Sequence, residues 1–379
     1  MLNDEELVEL EVAVDALCRA HLKPEYLRAC DQASRYPKAG MDALAKAGFA
    51  GMAVPVEFGG AGSSARELAA VHIALARHSL TVAQAFYSLW VLGADAIARL
   101  GSDDQKQSWL PRIASGQAAV AFALTEPGSG SDASALRTAA RLEGDTYLVS
   151  GQKLFITGAA VADTMITAVR TDPASASREG ISLLMVDPRA KGVELRPLDK
   201  LGIRGLDLCE VFLDEVAVPR ENVLGVPGSG WAHLRPGLAA ERAFLAAISV
   251  GGLEDLVGLC VEHATARQAF GQAIGRFQMV GQKIVDMRVA AQAARLLTLA
   301  AANAMDAGRP AMLEASSAKL FASEAYVSAT RDAVQVFGGY GFIEEYPVAR
   351  HYRDAKYLEI GGGSSEILRI IIGRDLGLM

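Results

Sequence analysis

The 379-residue chain lacks the patterns that mark several large classes of protein. It has four cysteines, Cys18, Cys30, Cys209 and Cys260, and no two stand in CxxC spacing. Neither a zinc ribbon nor a disulfide framework is indicated, and four reduced thiols in a reducing compartment are expected. The six histidines form no HExxH pair, which argues against a metal-dependent hydrolase. There is no phosphate-binding loop ending in Gly-Lys-Ser or Gly-Lys-Thr, and no GxSxG nucleophile elbow. Positive charge is not in excess: 37 Lys and Arg face 44 Asp and Glu, a net charge of −7 with both signs mixed. Nucleic acid is therefore not expected as a partner, because phosphate binding needs clustered cations. No run of 18 apolar residues occurs, so no membrane span is expected. The opening residues Met1 to Glu6 carry no basic-then-apolar leader, and cytoplasm is the expected location.

What is present is apolar mass. Hydrophobic residues make up 51% of the chain, enough for two or three layers around sizeable cores. The first 115 residues or so read as helices, with apolar stripes at Leu7, Leu10, Val14 and Leu17, then at Met41, Leu44 and Ala45. A loop rich in Gly and Pro covers 52–62, and a further apolar helix covers 82–100. Ser102 followed by Asp103, Asp104 and Gln105 predicts a helix N-cap. From Ala118 the texture changes to short β-type runs at 119–125, 147–149, 165–170, 181–186 and 210–213. Their spacing leaves no room for crossover helices, which predicts an antiparallel layer. After Gly230 long helices return, one carrying Glu241 toward Gln268, then 277–306, 310–337 and 364–374. The plan is α+β: a helical domain at 1–117, an antiparallel β domain at 118–228 and a four-helix bundle at 229–379.

Glu241 interrupts an apolar face. Leu238, Leu245, Ile248 and Leu259 recur at helical spacing with Gly252 between, and Glu241 falls three residues after the first and four before the second. A carboxylate there is costly unless paired or protonated. Raised basicity in a dry pocket suits a proton-abstracting base. The ordinary alternative is an internal ion pair with a distant Arg or Lys. Pro236 leaves the start of this helix open: it fits the first turn or kinks the interior. Gly128 to Ala133 matches the GxGxxA dinucleotide fingerprint, but a hairpin around Gly144 follows it and not a crossover helix, so a Rossmann site is rejected.

Several segments, in order, resemble the acyl-CoA dehydrogenase family over nearly the whole chain. They are Phe122 to Asp132, Lys153-Leu154-Phe155-Ile156-Thr157, Lys200 to Arg204 with Val218 to Asn222, Arg267-Gln268-Ala269-Phe270-Gly271 with Phe277-Gln278, Gln335 to Gly341, and Tyr352 to Lys356. The resemblance implies an acyl-CoA dehydrogenase-like fold with FAD. It places Phe122, Leu124, Thr125, Gly130, Ser131, Phe155 and Thr157 around the flavin, with Phe155 standing where the family has Trp. It assigns Arg267 to the pyrophosphate, counts Gly338 among the cofactor contacts, and carries Arg267, Phe270, Gln278, Gln335 and Gly339 toward the FAD of a neighbouring subunit. A homodimer or homotetramer follows from that. Ser364 and Glu366 complete the implied cofactor set, and Ser131, Arg242 and Gly362 the substrate set.

One departure matters. Many family members carry the catalytic Glu before the last helix, where this chain has Glu359-Ile360-Gly361-Gly362-Gly363-Ser364-Ser365-Glu366 and the base position is Gly362. The isovaleryl and long-chain types instead place the base on the long helix before an Arg, which Glu241-Arg242 matches. The implied reaction is α,β-dehydrogenation of an acyl-CoA, or of a thioester on an acyl carrier protein, with electrons passed to an electron-transfer flavoprotein. A monooxygenase or lyase of the same fold, and an idle flavin or acyl-CoA binding scaffold, are the competing readings. Bulky Tyr87, Leu89 and Trp90 suggest a short or branched acyl group.

Overall fold

The computed structural model describes residues 2–175 and 178–379. The N-terminal region packs α1 (Asp4–His21), α2 (Pro24–Gln32), α3 (Lys38–Lys46), α4 (Ala65–His78), α5 (Leu80–Phe86), α6 (Leu92–Leu100) and α7 (Asp103–Ala114). Capping boxes start three of them. Asn3 with Glu6, Ser64 with Glu67 and Ser102 with Gln105 each satisfy reciprocal backbone donors, the last at the cap predicted from sequence. Between α5 and α6 the chain passes through a π-helical turn, Tyr87–Val91.

The β layer comprises β1 (Val120–Ala123), β2 (Ala139–Glu143), β3 (Thr146–Thr157), β4 (Thr164–Arg170), β5 (Ile181–Val186), β6 (Val193–Pro197), β7 (Leu208–Pro219) and β8 (Val223–Leu224). The order is β6-β7-β3-β2-β4-β5-β8, with β1 paired to β4. Most ladders are antiparallel, but β1 runs parallel to β4 (Val120 opposite Thr164), and β2 meets β4 in parallel at Ala139 and Arg170. The expectation of a purely antiparallel layer is corrected here. The β2–β3 hairpin itself serves as the crossover, so no helix is needed between parallel strands.

The C-terminal region contains α8 (Gly230–Ala266), a small hairpin of β9 (Gln268–Ala269) and β10 (Gln272–Ala273), α9 (Gln278–Asp306), α10 (Met312–Phe337), α11 (Pro347–Ile360) and α12 (Ser365–Asp375). Helix α11 was not foreseen. Its inward positions are Val348, His351, Asp354, Ala355 and Leu358, so two polar residues break the apolar stripe that would have announced it. Asp354 is buried accepting from the Ile203 N–H at 2.6 Å, and His351 bridges Asp255 at 2.8 Å and the Tyr326 hydroxyl.

Helix α8 organises the molecule. Pro236 sits inside it and does not end it. From Arg242 to Leu253 every residue is buried, so the single apolar face read from sequence is too narrow a description. A helix covered on all sides must be apolar all round. Small residues make that possible: a Cβ on Gly251 would lie 2.2 Å from the Ile73 carbonyl oxygen of α4, and one on Gly252 2.5 Å from the Tyr326 ring of α10. Ion pairs lock the ends of this packing, with Arg77 on Glu254 at 2.8 Å and Asp15 at 2.9 Å, and Arg295 on Glu11 and Glu254 at 2.8 Å each. The stretches Leu80–Leu100 and Gly230–Ala266 are long and apolar enough to cross a membrane, a qualification of the sequence reading. Their apolar windows are 89% and 67% buried within the fold.

Candidate active site

Glu241 lies at the point where α8 enters the packed core, half-exposed itself and followed by buried Arg242. Among the described residues it makes no hydrogen bond and no ion pair, so the alternative of an internal salt bridge is not what the structure shows. Burial raises its pKa from the ordinary carboxylate value, against the opposing pull of Arg242 and Lys319. The glycine loop that follows α11 faces it. A Cβ on Gly362 would stand 2.4 Å from Leu245 Cδ1 and 3.4 Å from Glu241 Cγ. The space a side chain at 362 would occupy is thus the space beside Glu241.

Two buried cations hold that loop. Arg242 Nε donates to the Gly362 carbonyl at 3.2 Å, and a second guanidinium nitrogen contacts Met312 Sδ. Lys319 of α10, fully buried, donates to the Gly363 carbonyl at 2.7 Å. Burial brings the Lys319 ammonium down to about 8. Gly362 and Gly363 have φ of 65° and 99°, conformations that favour glycine. Fixing both carbonyls leaves the Gly362 N–H without an acceptor among the described residues, free for a ligand. Lys319 is not among the residues singled out from sequence above; its signal is a lysine at an apolar register position, between Ala315 and Ala318 on one side and Ala322 on the other. Glu359, nearby in sequence, pairs with Lys356.

The opposite wall is built from β1, β3 and the loop between β1 and β2. Phe122, Leu124 and Thr125 are half-buried at the end of β1. Beneath them Lys153 donates to the Leu124 carbonyl at 3.1 Å and to Glu126 at 2.8 Å, and Glu126 accepts the Arg137 and Thr138 N–H groups at 2.6 and 2.9 Å. This ion pair is sealed, with side-chain exposures of 0% and 6%. In β3, Tyr147, Val149 and Lys153 point inward on the two-residue period. The register against β7 then slips between Lys153 and Ile156. That bulge turns Phe155 outward at φ 60° and 56% exposed, leaving an aromatic plane presented to a ligand with Thr157 half-buried beyond it. Gly128, Gly130 and Ser131 are exposed, and a Cβ on either glycine would meet nothing. The segment after the GxGxxA match is a three-residue 3-10 turn, Ala133–Ala135, then β2, so no helix N-terminus is available to a pyrophosphate there.

The remaining implied cofactor residues lie elsewhere. Arg267, Phe270, Gln278, Gln335, Gly338 and Gly339 are all exposed on the outer face of the C-terminal bundle. Arg267 stacks over Tyr340 at 5.6 Å and, with Gly338 and Gly339, lines a cavity of about 490 Å³ floored by His263 and Phe337, whose rings stack at 4.1 Å. Phe270 is 97% exposed. Within one chain this group does not meet the Glu241 wall. Ser364 caps α12, and Glu366 in its first turn is exposed and pulled down by a hydrogen bond from Ser364. The donor set fits FAD: an outward-turned aromatic plane, small hydroxyls at Thr125 and Thr157, open glycines and an unpaired arginine fork.

An unpaired, raised carboxylate next to a glycine loop, with an outward-turned aromatic plane on the β layer, fits a flavin-dependent oxidoreductase acting on an activated carbonyl compound. Models of the acyl-CoA dehydrogenase N-terminal, middle and C-terminal domains match residues 4–117, 121–216 and 228–377, and the chain belongs to that family. It is an FAD-dependent acyl-CoA dehydrogenase. The chain is 36% identical to 3-(aryl)acrylate reductase of Clostridium sporogenes, covering 91% of this chain and 92% of the relative. It is 34% identical to the caffeyl-CoA reductase-Etf complex subunit CarC of Acetobacterium woodii, covering 93% of each. Butyryl-CoA dehydrogenase of Megasphaera elsdenii superposes with a TM-score of 0.93 at 32% identity over 99% of both chains.

Proposed function

We propose that Glu241 is the base that removes the α-proton of a fatty acyl thioester, giving a trans-2-enoyl thioester. The single observation that carries this is the unpaired, burial-raised carboxylate of Glu241 beside Gly362. The Gly362 N–H, aimed by the Arg242 and Lys319 tethers, donates to the thioester carbonyl and stabilises enolate charge as it develops. The α-proton thereby becomes acidic enough for a carboxylate. FAD supplies the two-electron acceptor for the β-carbon; Phe122, Leu124, Thr125, Gly130, Ser131, Phe155 and Thr157 hold its ring end. Leu245 and the buried core behind it close the inner side of Glu241 to water.

The exposed set Arg267, Phe270, Gln278, Gln335, Gly338 and Gly339 is proposed to serve the FAD of a second copy, making a homodimer the smallest active unit and a homotetramer its doubled form. A relative that works in an Etf complex supports an electron-transfer flavoprotein as electron acceptor. We assign the protein to the cytoplasm, which the four buried, unpaired cysteines support. CoA is the proposed carrier. The test is anaerobic addition of acyl-CoA to the holoenzyme: the flavin bleaches in wild type and stays oxidised in Glu241→Gln, with FAD retained in both. Equal bleaching in the variant removes the assignment.

A further inference from the structure

The acyl end of the site carries hydrogen-bonding groups that a saturated hydrocarbon chain would leave unused. Tyr87 opens the π-helical turn and is only 2% exposed, yet its hydroxyl has no hydrogen-bond partner. Tyr357 of α11, half-buried under Gly361, likewise makes no hydrogen bond through its hydroxyl among the described residues. Burial first, and then the Glu241 carboxylate, push both phenols up, which places both hydroxyls within electrostatic reach of the base. A second buried orphan lies beside Tyr87, with the two ring centroids 5.9 Å apart. His72 donates from Nδ1 to the Leu68 carbonyl at 2.6 Å, which leaves Nε2 as an acceptor, buried and unpartnered. Burial depresses its pKa to about 4, so it is a neutral ring at physiological pH.

These groups share one place in the fold. The rings of His72 and Tyr87 pack on Phe244 at centroid distances of 4.8 and 6.0 Å. Phe244 is three residues beyond Glu241, about 4.5 Å further along the α8 axis. On its other side the π-helical turn touches the flavin wall, where Leu89 Cδ2 lies 2.5 Å from the position of a Cβ on Gly158. The turn therefore bridges the α8 helix at Phe244 and the end of β3 at Gly158. Single π-turns inside helices recur at functional sites, since the inserted residue re-aims side chains. Polar groups buried without partners are rare in folded proteins. Here they cluster at the depth that the distal atoms of a short acyl group would reach.

We infer that the acyl pocket recognises a neutral hydrogen-bonding heteroatom, a hydroxyl, ether or ring heteroatom beyond the β-carbon of the acyl group, held by the Tyr87 hydroxyl with His72 Nε2 behind it. This rests on the acyl thioester reading above and narrows it. A site with a buried donor discriminates strongly against an analogue that leaves the donor unpaired. Among the described residues, the cations nearest Glu241, Arg242 and Lys319, are bound to the glycine loop and not offered to a charged substituent.

The test uses the holoenzyme and a matched pair of thioesters, 4-methoxybutyryl-CoA and hexanoyl-CoA, which differ by one oxygen in place of a methylene. The readout is the anaerobic flavin-bleaching rate constant divided by the dissociation constant. Wild type should prefer the ether at least about tenfold, and in Tyr87→Phe that ratio should fall to about one. The phenylalanine keeps the ring, and retained FAD absorbance reports folding. A wild-type ratio at or below one overturns the inference without any variant. A ratio that survives in Tyr87→Phe also overturns it, since the hydroxyl then serves the base or the packing alone. Bleaching by hexanoyl-CoA with no gain from the oxygen leaves the dehydrogenase reading intact. Failure of both thioesters to bleach the flavin removes that reading and this inference together.

Discussion

A side chain at residue 362 and the carboxylate of Glu241 compete for one space: a Cβ on Gly362 would sit 3.4 Å from Glu241 Cγ, and only 2.4 Å from Leu245 Cδ1. A carboxylate reaching this space from α8 leaves no room for one anchored at 362. Moving it to 362 is therefore not free. In a Glu241→Ala background, Gly362→Glu should recover little turnover, because the new side chain meets Leu245 and the backbone at φ 65° resists a non-glycine residue. Adding Leu245→Ala should recover more. Steady-state turnover of the double and triple variants checks this order, and full recovery in the double variant contradicts it.

Loss of Glu241 should lower the rate of flavin reduction by about a hundred- to ten-thousand-fold, the usual contribution of a positioned base. FAD content and oligomer size should be unchanged. Stopped-flow bleaching of Glu241→Gln measures it.

The pH profile has a defined direction. The base must be ionised, and burial raises its pKa, so kcat/KM should rise with pH through a limb above the ordinary carboxylate range. The cations Arg242 and Lys319 hold that limb down. Lys319→Met should shift it to higher pH and, by freeing the Gly363 carbonyl, lower kcat as well. A limb that stays put would show that the Lys319 charge does not reach the base.

Stability should move the opposite way to activity. A carboxyl group whose folded-state pKa is raised destabilises the fold when ionised: below the unfolded pKa there is no penalty, and it grows as pH rises to the folded value. Glu241→Gln should therefore melt higher than wild type at pH 8, and the difference should shrink as the pH is lowered toward 4. Thermal scans of the two proteins across that range decide it.

Lys153→Met leaves Glu126 buried without its partner, at a cost of about 3–5 kcal/mol. Because the same ammonium holds the Leu124 carbonyl, the variant should also release FAD more readily on dilution. Adding Glu126→Gln should restore part of the stability. A single variant as stable as wild type would show that the pair is replaceable.

The α–β–α plan and the position of Glu241 were both legible in the chain, for different reasons. Long helices and short strands announce themselves through apolar period, and a lone acid on an apolar face stands out against it. Helix α11 did not, because His351 and Asp354 occupy inward positions and are satisfied by partners about a hundred residues away or more, Asp255 and Ile203. The Lys153–Glu126 pair was hidden similarly. Each residue alone looks like surface charge, and only the register of β3 against β7 turns the lysine inward. The parallel pairing of β1 escaped notice since a hairpin, not a helix, makes the crossover. The unpaired hydroxyl of Tyr87 is invisible to pattern altogether, for an orphan is defined by what surrounds it.

Arg242 has a mechanical consequence. The proposed base and the arginine that grips the glycine loop are adjacent residues of one helix, so Glu241 and the Gly362 loop are tied to a single element. An opening confined to the β wall would therefore leave Glu241 and the Gly362 loop in register with each other.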